Sequence, residues 1–146
     1  MTRTFGLLLL LTLLAACSPE TPPRLLVNGA TLTLRGTWHA DPDRAQEIGP
    51  GDPGSDVWWE QVTTTERYWV PENGAKFTAF GTTRPDLADC QRSALTETKI
   101  NGSAGPSNRI PSGTYLCGKT NEGHTVIVEV VNYGYNLYLK VWVYDR

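Results

Sequence analysis

Residues 137–144 alternate without a break: Leu137, Leu139, Val141 and Val143 fall at odd positions, and Tyr138, Lys140, Trp142 and Tyr144 at even ones. Side chains on a strand point to opposite faces in turn, whereas a helix would scatter these four aliphatic residues around its axis. The segment therefore reads as a strand with one buried face and one aromatic face broken by a lysine. Upstream, β-rich runs are divided by turn residues at short intervals. Residues 25–27 and 30–38 flank Asn28-Gly29, a strong short hairpin signal. Residues 67–70 and 75–80 flank Pro71-Glu72-Asn73-Gly74, and residues 57–63, 114–119 and 125–132 add three more runs. This pattern predicts an all-β, single-domain antiparallel barrel or sandwich of about seven strands.

One short helix is expected over residues 85–93, with Thr83 as cap, Asp86 three residues on and Pro85 in the first turn. Residues 39–56 and 101–113, rich in Gly, Pro and polar side chains, read as surface loops.

The first sixteen residues stand apart from this pattern. Arg3 precedes a nearly unbroken apolar run from Phe5 to Leu14. Its length of about ten residues suits the core of a signal peptide and falls short of the roughly twenty needed to span a bilayer. The run ends in Leu14-Ala15-Ala16-Cys17, which resembles the lipobox of bacterial lipoproteins. In that family the cysteine thiol accepts a diacylglyceryl group, and cleavage leaves the acylated cysteine, which is commonly also palmitoylated, as the new N-terminus. The resemblance implies a signal peptide over residues 1–16 and lipidation of Cys17; the prolines and the β-rich pattern then assign a Pro-rich tether to residues 17–24 and a β domain to residues 25–146. Ser18, in place of the aspartate that retains such proteins at the inner membrane, implies the outer membrane in a Gram-negative cell. In a cell with one membrane the anchor implies its outer face. Pro19, Pro22 and Pro23 favour an extended tether of about 3 Å per residue, or roughly 20 Å in all.

Without the leader, 130 residues remain, enough for one domain with a core. The leader contains only Arg3 among charged residues, so the mature part carries 12 basic against 15 acidic residues, a formal charge of −3. No Lys/Arg cluster favours nucleic acid as a partner. With Cys17 assigned to the lipid, Cys90 and Cys117 are left as an expected disulfide, the usual state of two thiols in a small exported domain.

Two constellations bear on function. All five tryptophans lie outside the leader, with six tyrosines. Trp58, Trp59, Tyr138, Trp142 and Tyr144 form a candidate binding face for an envelope glycan or protein, because flat rings bury large area at low entropic cost. The alternative is that these rings fill a thin core. Trp58 and Trp59, being adjacent, must point to opposite faces of any strand. The second constellation is acidic: Asp41, Asp43, Glu47, Asp52 and Asp56, relieved by Arg44. Such a loop offers oxygen ligands for calcium, but it lacks the ligand alternation, mid-loop glycine and terminal glutamate of an EF-hand. A solvated loop is the expectation, with no metal and no cofactor assigned.

Catalytic signatures are scarce. His39 and His124 lie at expected element ends, where surface histidines are common. There is no Gly-x-Ser-x-Gly elbow, no His-Glu-x-x-His and no Cys/His cluster. Glu47 or Glu60 with an aspartate would be needed for a glycosidase pair.

Gly36-Thr37-Trp38, Asp41-x-Asp43, Asp56-x-Trp58-Trp59-Glu60-Gln61, Asn73-Gly74-Ala75 and Thr120-Asn121-Glu122-Gly123 together resemble a recurrent pattern in uncharacterised bacterial exported β domains. That resemblance implies a fold and no activity. In architecture the chain is similar to membrane-bound lysozyme inhibitors, small lipid-anchored barrels with one disulfide. Their inhibitory loop holds Ser-Gly followed by a tyrosine, and Pro111-Ser112-Gly113-Thr114-Tyr115 is the nearest stretch here. The expected function is a non-catalytic envelope binding or structural module. Inhibition of an envelope-attacking hydrolase such as lysozyme, or a small hydrolase activity, stands as the alternative.

Overall fold

The computed structural model describes residues 20–146. Arg3, the apolar run and Cys17 with its lipidation lie outside the described residues. The protein is an all-β sandwich of two five-stranded antiparallel sheets with one short helix. The strands are β1 (Leu25–Leu34), β2 (His39–Asp41), β3 (Gln46–Ile48), β4 (Val57–Gln61), β5 (Arg67–Pro71), β6 (Lys76–Gly81), β7 (Ile100–Asn101), β8 (Tyr115–Lys119), β9 (Thr125–Asn132) and β10 (Leu137–Tyr144); helix α1 is Leu87–Arg92. The first sheet runs β1-β10-β9-β8-β6 and the second β3-β2-β4-β5-β7. Neither sheet closes on itself, so of the two expected architectures the sandwich is the one adopted. The described residues hold ten strands instead of about seven, because three of them are two or three residues long and carry no periodicity of their own.

The inward faces meet in one core. Leu34, Val128, Leu139, Val141 and Val143 come from the first sheet, and Val57, Trp59, Trp69 and Ile100 from the second. The Trp69 and Phe77 rings pack edge to face across the layers, with centroids 5.2 Å apart. β10 alternates as its sequence demands, its four aliphatic side chains all buried.

Several local expectations are corrected. Asn28-Gly29 is not a hairpin turn: residues 25–34 form one strand paired along its length with β10, and Gly29 sits at a bulge with φ +62°. Pairing with a long hydrophobic neighbour outweighs a local turn preference, and glycine absorbs the extra residue in the left-handed region. The expected loop at 39–56 holds β2, a single 3-10 turn (Pro42–Arg44) and β3. The helix begins later than expected: Asp86 is its N-cap, and Asp89 returns the bond to the Asp86 N–H. The capping box is therefore Asp86/Asp89, with Thr83 outside it.

Cys90 of α1 and Cys117 of β8 form the expected disulfide. It pins the helix to the outer face of the first sheet, where Cys90, Cys117, Ile127 and Trp142 make a second small core flanked by Leu95, Tyr115 and Tyr144. The described part of the tether is bound, not free. Arg24 N–H donates to Asp145 Oδ1 at 2.8 Å, and Asp145 N–H donates to the Arg24 carbonyl at 3.0 Å.

Candidate functional site

The groups best placed for chemistry gather where β2, the start of β4 and the β8–β9 turn meet. Asp41 ends β2 and caps the 3-10 turn, its Oδ1 accepting from Arg44 N–H at 3.2 Å. The turn carries Asp43 and closes at Ala45, in the left-handed conformation with φ 50°. Asp56 immediately precedes β4 and is held on both sides by backbone bonds: its N–H donates to Ala40 and its carbonyl accepts from Glu72.

The β8–β9 turn supplies the opposite wall. Thr120 and His124 bond each other's backbone across the turn, placing the His124 ring beside the aspartates. Asn121 donates its N–H to Asp56 Oδ1 and its side-chain amide to the Pro53 carbonyl at 3.0 Å, stapling the 52–56 segment in place. Asn73 donates to the Ser55 carbonyl at 2.7 Å from the other side. Four of the five short stretches that carry the likeness to exported β domains, those at 41–43, 56–61, 73–75 and 120–123, thus contribute residues to this one end of the sandwich.

One carboxylate oxygen each of Asp41, Asp43 and Asp56 lies within 4.8 Å of the others, and Asp43, Glu122 and His124 form a second set meeting the same limit. Asp41 and Asp56 are 1% and 0% exposed. Each of the three carboxylates uses one oxygen in a fixed contact and leaves the other, Oδ2 in every case, buried and without a hydrogen-bond partner. Arg44 Nε lies 3.2 Å from Asp41 Oδ2 as a charge partner but is not aligned to donate to it, and most of its side chain is exposed.

Burial is the main cause that pushes the Asp41 carboxyl above its ordinary range, opposed by the Arg44 N–H. Asp56 is pushed up to about 7, first by burial and then by Asp43, Asp41 and Glu122, against the lowering bond from Asn121. An ionised Asp43 can only accept, so His124 Nδ1, 2.8 Å from Asp43 Oδ1, carries the proton in that bond. Glu122 Oε2 stands 3.8 Å from the same nitrogen.

A neighbouring network involves His39, Ser55 and Glu72. His39 Nδ1 is 2.6 Å from Glu72 Oε2, Ser55 Oγ donates to the same oxygen, and the imidazole stacks on Trp58 with centroids 5.8 Å apart. Serine and histidine both address the carboxylate and not each other, so this is not the order of a hydrolytic triad. The expectation of surface histidines is corrected: His39 is buried and His124 half-buried, each against a carboxylate. Neither lines the open recess formed by Thr21, Pro22, Pro23, Gln91 and Arg146. Glu47 and Glu60 pair with different cations, Arg35 and Lys99.

The candidate aromatic face is divided. Trp59 is 0% exposed in the inter-sheet core, donating Nε1–H to the Tyr135 carbonyl. Trp58 therefore points outward from the second sheet, while Tyr138, Trp142 and Tyr144 point outward from the first. The outer faces of a two-layer sandwich look in opposite directions, so these rings cannot form one surface. Trp142 is moreover sealed, 6% exposed under the Arg84 guanidinium at 4.1 Å. Tyr138 alone of the five is well exposed, at 47%. The 101–113 loop is anchored at both ends of its course: Gly102 lies against the Trp59 ring, and Ile110 is buried in the main core.

Ser55, Glu72 and Asn121 drew no functional reading from the sequence individually. Nothing in their local context separates them from ordinary turn residues, because their role comes from contacts 17 to 68 positions away. The chain matches no protein-family profile, no characterised protein and no solved structure.

Proposed function

We propose that the protein is a membrane-anchored extracytoplasmic lipoprotein whose sandwich acts as a non-catalytic binding or structural module of the cell envelope. The observation that carries this reading is the apolar leader ending in Leu14-Ala15-Ala16-Cys17. The Cys90–Cys117 bond supports it, since such bonds persist in oxidising compartments. It also accounts for two of the three cysteines and leaves Cys17 for the lipid.

The non-catalytic part is supported by how the reactive groups are employed. Both imidazoles are held by carboxylates, Ser55 is bonded to Glu72 and not to a base that could activate it, and the two remaining thiols are joined. The polar end of the fold holds its own loops together.

The test is metabolic labelling with an alkynyl fatty acid in a bacterial host, comparing the wild type with Cys17→Ala. The expected result is a labelled, membrane-associated wild type and an unlabelled variant that accumulates as precursor. Equal labelling of both, or cleavage of the variant at the wild-type position, would refute lipidation at Cys17.

A further inference from the structure

Carboxylates buried side by side are costly unless something positive joins them. Asp41, Asp43 and Asp56 bring one oxygen each to within 4.8 Å of one another. Their own chain orients them: Asp41 Oδ1 accepts from Arg44 N–H, Asp56 Oδ1 from Asn121 N–H, and Asp43 Oδ1 from His124 Nδ1–H. The second oxygen of each is buried with no hydrogen bond at all. In each carboxylate one oxygen is held by a protein contact and the other makes no hydrogen bond, with Arg44 Nε 3.2 Å from Asp41 Oδ2 as a charge partner. This is the arrangement that outer-shell donors impose on metal-ligating carboxylates.

We propose that Asp41, Asp43 and Asp56 bind a hard divalent cation through their Oδ2 atoms, with calcium as the ion of best fit. A ligand set of three carboxylate oxygens with no sulfur favours a hard cation. Calcium accepts mono- or bidentate carboxylates and fills its remaining positions with water, without demanding the strict octahedron of magnesium. The charges of the three carboxylates are balanced by the ion together with Arg44. His124 is a positioning residue: its Nδ1, 2.8 Å from Asp43 Oδ1, orients that carboxylate. The site joins β2, the 3-10 turn, the start of β4 and, through Asn121 and His124, the β8–β9 turn, so an ion there clamps loops of both sheets. This inference does not depend on lipidation of Cys17.

The experiment uses the full-length protein in detergent, stripped with chelator and titrated separately with calcium, magnesium and zinc. Thermal unfolding and titration calorimetry are the readouts. Calcium at a hundredfold excess over its Kd is expected to raise Tm by roughly 8 °C. Asp41→Asn, Asp43→Asn and Asp56→Asn each keep the fixed acceptor oxygen and are expected to fold while losing the calcium response. His124→Gln is expected to bind calcium about 10- to 100-fold more weakly. A wild-type Tm and heat signal unmoved by millimolar calcium would overturn the proposal, whatever the variants do. Binding of zinc alone, abolished by His124→Gln, would also overturn it, by moving the ligands to Asp43, Glu122 and His124.

Discussion

Asp56 gives the sharpest quantitative expectation, for the metal-free protein. Its carboxyl is fully buried and pushed from 3.8 to about 7, with burial as the largest cause. At 1.36 kcal/mol per pH unit, holding it ionised in the folded state costs about 4 kcal/mol. The sign follows from linkage. Below 3.8 the folded and unfolded states both carry the proton, and the cost is absent. Between 3.8 and 7 the unfolded chain ionises first, so stability falls as pH rises; above about 7 the whole cost applies. Asp56→Asn keeps an oxygen to accept from Asn121 and removes the buried carboxyl that must otherwise ionise. It is therefore expected to stabilise the metal-free protein by about 2 to 4 kcal/mol near pH 8, with the gain shrinking toward zero as pH approaches 4. The assay is urea unfolding in excess chelator across that range, read by the fluorescence of the core residues Trp59 and Trp69. A variant less stable than wild type near pH 8, or a difference that does not change with pH, would refute the reasoning.

The disulfide and the divided aromatics give two further tests. The Cys90–Cys117 link spans 27 positions, so Cys90→Ala with Cys117→Ala should cost about 3 to 4 kcal/mol in urea unfolding and loosen α1 first; hydrogen exchange in residues 87–92 unchanged by the double substitution would contradict the pinning role. Trp142→Ala should cost about 3 to 5 kcal/mol because the ring is buried beneath Arg84, whereas Tyr138→Ala on the same strand face should cost under about 1 kcal/mol. Equal costs would show that the second small core contributes little.

Features that depend on neighbours along the chain were legible in the sequence. The alternation of residues 137–144 requires a strand with its aliphatic side inward, and β10 has it. Adjacent Trp58 and Trp59 had to face opposite ways, and they do. One short helix near residue 90 and the pairing of Cys90 with Cys117 were legible as well. In each case the determining property is the two-residue period of a strand, a capping preference or a count of cysteines. The rest arises from distant segments brought into contact by the fold. Asn28-Gly29 became a bulge because β10 offered a full-length partner. Residues 39–56 read as a wet loop because Asp, Pro and Gly are common in solvent, yet Asp41 and Asp56 are buried. The walls that cover them, the 3-10 turn and the β8–β9 turn, belong to distant segments, as the His124–Asp43 contact at a separation of 81 illustrates. Local composition records what a residue prefers, whereas solvent exclusion is a property of everything around it. That is why the carboxylate cluster emerges only once both sheets are assembled.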